Sequence, residues 1–503
     1  MEKYILGIDN GGTLIKAALY NMEGKEIAVA SRQTALITAQ PGYSERCMNE
    51  LWDQNCACIQ EVITNSGIAP EKIAGAAVCG HGKGLYMVDK NGKPLYNGII
   101  STDNRAWQYP KKWKENGTFD ALYPRLCQEL MACQPVSLLA WLKDHEKPLY
   151  DSIRRAFSVT DYIRFRLTGE AFSEATNISG SGLMNVRDGI IEKDIFEAFG
   201  IEESFSMIPP LKYSGEPCGK VTKEAAMECG LKEGTSIAGG MFDIDACAIA
   251  MAITEPEQLC TITGTWSINE FISNKPITGT AIAMNSLYAI PGWYLLEESS
   301  ATGVGNLEWF IENLFDKDTL PPGLNIYAHL NDKAKEIKPG GSDIYYLPFL
   351  YGSNRHPLGK AAFIGLTSYH NKYHMLRALF EGAAFSARHH VDKLLSVRER
   401  PKAIRLAGGA ANSALWVQIF ADVLELPVET VSGVKELGAM GAAMAAAVSA
   451  GIYKDYKEAA KAMVKISPPV DPDPSLFPVY RKKYDTYSAI CTALDTVWNR
   501  FEV

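Results

Sequence analysis

The sequence lacks the cysteine spacing of a zinc ribbon or a dithiol redox site. Its 11 cysteines are scattered; Cys56 and Cys58 form a C-x-C, and no C-x-x-C occurs. An odd cysteine count, with no basic-then-apolar leader at the N-terminus, gives the expectation of free thiols in a reducing, cytoplasmic compartment. Long apolar runs are also missing. No segment reaches the ~18 uninterrupted apolar residues of a membrane span. The longest candidate, 440–452, is rich in Ala and Gly and reads as a tightly packed buried helix. Basic clusters are scarce. Lys and Arg number 50 against 58 Asp and Glu, a formal net charge of −8, which argues against a nucleic-acid backbone as partner. The two commonest nucleotide fingerprints are absent. There is no G-x-x-x-x-G-K-[ST], and no G-x-G-x-x-G bridges a strand and a helix.

What remains is a 503-residue chain with 47% hydrophobic and 21% charged residues. That is the balance of a folded globular protein, and the length calls for two or three domains. The opening reads as strands over 4–9, 14–20 and 26–31, joined by Asn10-Gly11-Gly12-Thr13 and by a turn at 21–25. Asn-Gly between apolar runs is a strong hairpin signal. A helix is expected over 49–65, where Trp52, Cys56, Ile59 and Ile63 fall on one face. A buried strand comes next at 73–79. A weaker echo begins after residue 255. Strands at 259–263 and 267–272 flank Gly264-Thr265, and a strand at 403–406 runs into Gly408-Gly409 and a helix. The chain thus reads as two copies of one α/β architecture, with a boundary near 247–257.

Two glycine turns carry the candidate phosphate chemistry. In Gly7–Lys16, GIDNGGTLIK, glycines let backbone amides approach anionic oxygens. Thr13 adds a hydroxyl, and Lys16 is placed to balance phosphate charge. Asp9 ends the first strand, where it is placed to hold magnesium directly or through a water. An Asn-Gly hairpin with a capping Asp explains the same residues without any ligand. Gly264-Thr265 offers a second turn. Asp243 lies in GGMFDIDACAIA, read as a link between a strand at 236–240 and a helix at 245–252. An Asp there can accept a proton from a hydroxyl; Asp243 or Asp245 can equally cap the helix.

The segments LGIDNGGTLIKAALYN, AAVCGHGKGLYMVDKNGKPLYNGIISTDNRA, FSVTDYIRFRLTGE, AGGMFDIDACA, TITGTW, GNLEWF and RLAGGAANSALWVQIFADVLELPV together resemble the FGGY carbohydrate kinases over nearly the whole chain. HGKGL, QPVSLLAWLKDHE, FDID, ESSATGVGNLEWF and LPFLYGSN are most similar to the branch of L-xylulose kinases, also described as acting on 3-keto-L-gulonate. The resemblance implies an α/β fold of two actin-like, ribonuclease H-type domains with a catalytic cleft between them. A sugar-binding domain would span 1–250 and a nucleotide-binding domain 251–503. It implies ATP and Mg2+, with no nucleic acid or membrane partner, and it is compatible with a homodimer.

Carried over residue by residue, the resemblance makes Asp9 the magnesium-side carboxylate and Gly11, Gly12, Thr13 and Lys16 the first phosphate turn. Asp243 becomes the general base, which also meets the sugar. Gly264 and Thr265 form the second turn. Gly305, Asn306, Gly408, Gly409 and Asn412 line the adenosine side, while Gln418 and Asp422 sit on the signature helix behind it. His81, Lys83, Asp103 and Arg105 are the sugar contacts, and an Arg with a Lys suits a keto or carboxylate oxygen. The common family form has Gln where His81 stands and often Lys at Leu138. These departures bear on the sugar, not on phosphoryl transfer. D-xylulose, ribulose, gluconate and a tetritol are the alternative substrates, and an actin-like ATPase is the alternative outside sugar kinases. GIDNGGTLIK also resembles the ROK sugar kinases, but their cysteine-rich zinc motif is missing.

Among weaker signals, His370 and His374 have a spacing that can hold zinc on a helix, without an evident third ligand. Trp309 and Phe310 read as core.

Overall fold

The computed structural model describes residues 2–264, 266–279, 282, 284–300, 302–315 and 325–501. Two compact units emerge from its internal contacts. One comprises Met1–Thr254, Ile272–Leu296 and Gly433–Lys465; the other comprises Glu255–Phe271, Glu297–Ser432 and Ile466–Val503. The chain therefore passes from the first unit to the second at Thr254 and returns twice.

The first unit is built on a sheet whose central strand is β1, Tyr4–Asn10. Its residues from Tyr4 to Ile8 are all buried, as a strand covered on both faces requires. β2 (Leu14–Asn21) pairs antiparallel with β1, placing Asp9 opposite Lys16. β3 (Glu26–Gln33) continues the meander. Helix α1 (Met48–Ser66) buries Trp52, Cys56 and Ile59, with Ile63 only partly covered. β4 (Ile73–Gly80) then pairs parallel with β1. Helices α2 (Val159–Thr168) and α3 (Ala175–Ser179) come after it. β5 (Pro217–Lys220), β6 (Ser236–Ala238) and β7 (Met241–Phe242) complete the sheet, in the order β5-β6-β4-β1-β2-β3 with β7 also on β4. Helix α4 (Asp243–Ala250) begins where β7 stops.

The second unit repeats the pattern. β8 (Cys260–Thr263) forms an antiparallel hairpin with β9 (Ser267–Ser273), as β1 does with β2. Helices α5 (Gly305–Leu314), α6 (Ile326–Lys335) and α7 (Lys372–Leu395) come next. β10 (Ile404–Gly408) pairs parallel with β8, as β4 does with β1. Helix α8 (Ala414–Leu424) leads to β11 (Val428–Ser432), parallel to β10.

Helix α9 (Leu437–Ser449) belongs to the first unit despite its late position. Ten of its 13 residues are buried, which fits a helix apolar on every face. Its small residues allow this depth. A Cβ on Gly7 would strike the Ala439 carbonyl, and one on Gly441 would strike the Ala246 carbonyl. Glycine at both places lets α9 lie directly against β1 and α4.

Candidate active site

Three parallel strands of the first sheet end side by side. Asp9 lies opposite Cys79 in the β1–β4 pairing, and Cys79 lies opposite Met241 in the β4–β7 pairing. The residues after the strands are thereby brought to one edge: Gly11 to Thr13 after β1, His81 after β4, Asp243 after β7. Open parallel sheets bind ligands beyond such carboxyl ends.

Asp9 is held among mixed charges. Burial pushes its carboxyl up to about 6; Lys16 and the Cys79 thiol pull it down, and Glu436 pushes it up. Oδ1 is buried without a hydrogen-bond partner, so a cation or a water there would satisfy it. The carboxylate thus fits the magnesium role that its position implies. Lys16 Nζ donates to Glu436 Oε2 at 2.6 Å. Burial lowers the Lys16 ammonium, but Glu436 and Asp9 more than offset this and hold it above its ordinary value. The turn before it is fixed from below. Arg46 donates to the carbonyl of Gly11 at 3.1 Å and to that of Gly12. Asn10 and Asn55 exchange reciprocal amide bonds at 3.0 and 2.8 Å. Gly12 and Thr13 are exposed.

Asp243 is the first residue of α4, so the helix starts two positions earlier than the sequence suggested. The N-cap is Phe242, and neither Asp243 nor Asp245 takes that place. Phe242 is extended, with φ −61° and ψ 145°, and this turns the chain from strand into helix. Asp245 Oδ1 accepts from the Ala289 amide at 3.1 Å. Asp243 therefore occupies the first turn, where the helix dipole favours a carboxylate.

His81 is buried with both ring nitrogens engaged. Nε2 lies 3.0 Å from the Tyr86 hydroxyl and Nδ1 3.2 Å from the Gly82 carbonyl. A carbonyl only accepts, so Nδ1 carries the proton and Nε2 accepts from Tyr86. Burial pulls its pKa down to about 4, and the ring is neutral. Lys83 adopts φ 64°, a left-handed conformation unusual for a residue with a side chain. The flanking Gly82 and Gly84 are tightly packed, since a Cβ on Gly82 would strike the Phe242 ring and one on Gly84 the Ile99 carbonyl. Among the described residues, Lys83 Nζ reaches only the Met284 thioether, at 3.6 Å.

Arg105 is locked. Its Nε donates to both Asp103 oxygens at 3.0 and 3.1 Å, and its NH2 donates to Glu45 Oε1 at 2.6 Å. The guanidinium lies over the Tyr43 ring, 3.9 Å from its centroid. Asp103 also accepts from the Ser44 amide at 2.7 Å. The side chains of Arg105, Asp103 and Glu45 are 2%, 0% and 1% exposed, so these charges satisfy one another rather than face solvent.

In the second unit, Thr263 ties the predicted nucleotide residues together. Its hydroxyl donates to the Ala407 carbonyl at 2.8 Å and accepts from the Ala410 amide at 3.1 Å. Gly264 accepts from the Val304 amide at 2.8 Å. Thr265 lies outside the described residues. Gly408 has φ 82° and ψ −160°, a region essentially reserved for glycine. Gly409 and Asn412 line a cavity of about 490 Å³ with Val304, Tyr327, Phe380 and Trp416. Phe380 and Trp416 stack there, centroids 4.4 Å apart, and the volume suits a small-molecule site. Gly305 packs on the Tyr351 ring. The Asn306 amide is occupied by Tyr346 and the Gly303 carbonyl. Gln418 and Asp422 bond to each other. Phe310 is core, whereas Trp309 is 37% exposed and is not. Among the described residues no cluster of three metal-ligating side chains exists, and no helix is long and apolar enough to cross a membrane.

Sequence reasoning missed Glu436, Glu45, Arg46 and Thr176. Each acts through a partner distant along the chain, and none stands in a local motif.

The FGGY carbohydrate kinase N-terminal domain model matches residues 4–250, and the C-terminal domain model matches 259–450. The chain belongs to the FGGY family of carbohydrate kinases. This kinase is 36% identical over 495 residues to the L-xylulose/3-keto-L-gulonate kinase of Escherichia coli K12, covering 98% of each chain. It is 35% identical to a probable L-xylulose kinase of Pasteurella multocida, covering 98% of this chain and 99% of that one. Among solved structures, the xylulose kinase of Rhodospirillum rubrum matches with a TM-score of 0.86 at 27% identity, covering 99% of this chain and 100% of that one. The fold is the two-domain FGGY kinase fold, and the activity is ATP-dependent phosphorylation of a sugar.

Proposed function

We propose that this kinase phosphorylates a ketose of the L-xylulose type, including its acidic relative 3-keto-L-gulonate, with Asp243 as general base. The observation that carries the substrate class is Lys83. Among the described residues its ammonium meets only a thioether, a weak acceptor, at the strand edge that also bears His81 and Asp243. The Arg105 charge is already neutralised by two carboxylates, which leaves Lys83 to meet a keto or carboxylate oxygen. Curated relatives named for L-xylulose and 3-keto-L-gulonate support the same reading.

In the proposed reaction Asp243 accepts the proton of the sugar hydroxyl as its oxygen attacks the γ-phosphorus of ATP. The new O–P bond forms in line with the bond that breaks to release ADP, and catalysis is mainly positioning and charge neutralisation. Lys16 and the amides of Gly11, Gly12 and Thr13 would bind phosphate oxygens. The Gly408–Asn412 turn and its cavity would hold the adenosine side. Magnesium, held by Asp9 directly or through a water, would neutralise charge on the phosphate chain. None of the 11 cysteines forms a disulfide, which supports a cytoplasmic setting.

The test is sugar-stimulated ADP release over a panel containing L-xylulose, 3-keto-L-gulonate, D-xylulose, ribulose, gluconate and a tetritol. The highest kcat/KM is expected with one of the first two. A higher value for another sugar overturns the substrate assignment. ATP turnover with no sugar stimulation would instead favour an actin-like ATPase.

A further inference from the structure

The segment that delivers Asp243 is gripped from outside its own sheet. On one side β7 pairs with β4. On the other side the Phe242 amide, one residue before Asp243, donates to the Thr176 hydroxyl at 2.8 Å. That hydroxyl donates in turn to Glu174 Oε2 at 2.6 Å, so its orientation is fixed at both ends. Glu174 is anchored by the Asn177 amide and side chain, both at 3.0 Å, and by the Ser214 hydroxyl at 2.7 Å. The Glu174 amide donates to Asp161 Oδ1 at 3.0 Å, and Asp161 pairs with Arg164 at 2.8 Å. Arg164 closes the circuit by donating to the Gly239 carbonyl. Residues 239–242 are thus held at both ends by one buried polar network. Glu174, Thr176 and Ser214 are fully buried, and Asp161 is 3% exposed.

A buried polar network rigidifies what it holds where its members are satisfied; the Thr176 hydroxyl and the Glu174 carboxylate are satisfied, whereas Arg164 Nε and Asn177 Oδ1, farther along, meet no hydrogen-bond partner among the described residues. The network reaches the site through the backbone of Phe242. We propose that Thr176, backed by Glu174, is a positioning residue that sets where the Asp243 carboxylate stands relative to the sugar hydroxyl. The inference rests on the reading of Asp243 as general base. Val at 176 keeps the side-chain shape but leaves the Phe242 N–H buried without an acceptor. Ser keeps the acceptor and loses only a methyl. A displacement of about 1 Å at a reacting group can cost on the order of 100-fold in rate.

The experiment compares Thr176→Val, Thr176→Ser and Asp243→Asn with the unaltered enzyme. It reads kcat and KM for the sugar, ATP affinity, thermal midpoint, and hydrogen exchange of a peptide containing Phe242. Thr176→Val is expected to lose Phe242 protection and about 10- to 100-fold in kcat. Sugar KM and ATP affinity are expected to stay within about 3-fold, and Thr176→Ser to recover kcat to within about 3-fold. Loss of Phe242 protection with kcat unchanged overturns the proposal. So does a parallel fall in kcat, ATP affinity and thermal midpoint, which a merely structural role would give. Retained activity in Asp243→Asn overturns the base assignment instead, and is read independently of the Thr176 pair.

Discussion

Lys16 and Glu436, 420 positions apart in the chain, meet in a 2.6 Å ion pair beside Asp9. The pair gives Lys16, in the proposed phosphate turn, a fixed direction in the absence of any ligand. A partly buried pair that acts as a unit shows strong coupling in a double-mutant cycle. Lys16→Met is expected to lower kcat/KM for ATP about 100-fold and Glu436→Gln about 10-fold, each of the size lost with one positioned charge contact. The double variant should be no worse than Lys16→Met. Steady-state kinetics on the four proteins check this, and full additivity would mean that Glu436 does not act through Lys16.

The buried Arg105 group predicts a loss of stability rather than of affinity alone. Removing one member of a buried ion pair leaves uncompensated charge and costs about 3–5 kcal/mol. Arg105→Met, with Asp103 and Glu45 left facing each other, should show that loss in urea unfolding. Lys83→Met should unfold like the unaltered protein, because among the described residues Lys83 has no carboxylate partner to strand. It should instead lower kcat/KM for a keto sugar acid about 10-fold more than for the neutral ketose, the size of one charge-assisted contact.

How much of this was legible in the chain differs by the range of the interaction. The β1–β2 hairpin announced itself through Asn10-Gly11 between apolar runs, because a turn is a local preference. Asp9, Gly408 and Gly409 stood out for the same reason. Glu436 gave no signal, since its meaning depends on α9 folding back against β1 through Gly7. Glu45 and Thr176 were equally silent, being defined by partners 60 and 66 positions away. Arg105 was marked as a sugar contact through the resemblance, but only its burial reveals that its charge is satisfied internally. The α4 boundary was misread because Phe242, which carries no capping side chain, stands at the N-cap.

His81 provides a pH signature. Its pKa is drawn by burial to about 4, against an ordinary value of 6.5. The unfolded chain therefore takes up a proton first as pH falls, and stability present above pH 6.5 is progressively lost toward pH 4. Between pH 7 and pH 5 this one group should account for about 2 kcal/mol. Urea unfolding at both pH values measures it. His81→Gln should show a correspondingly smaller difference between the two.

Gly409 predicts a nucleotide-side effect. A Cβ there would stand 2.5 Å from Val304 Cγ1, so Gly409→Ala must displace the wall of the 490 Å³ cavity. ATP KM should rise about 10-fold with sugar KM unchanged, the behaviour of lost uniform binding. An equal rise in both would remove the cavity from the nucleotide.

The base assignment for Asp243 is tested most directly by Asp243→Asn in a sugar-dependent ADP-release assay, with ATP binding measured on the same preparation. The expected result is a loss of at least about 100-fold in sugar phosphorylation with ATP affinity within about 3-fold of the unaltered enzyme. Activity above about 1% in that variant would contradict the assignment.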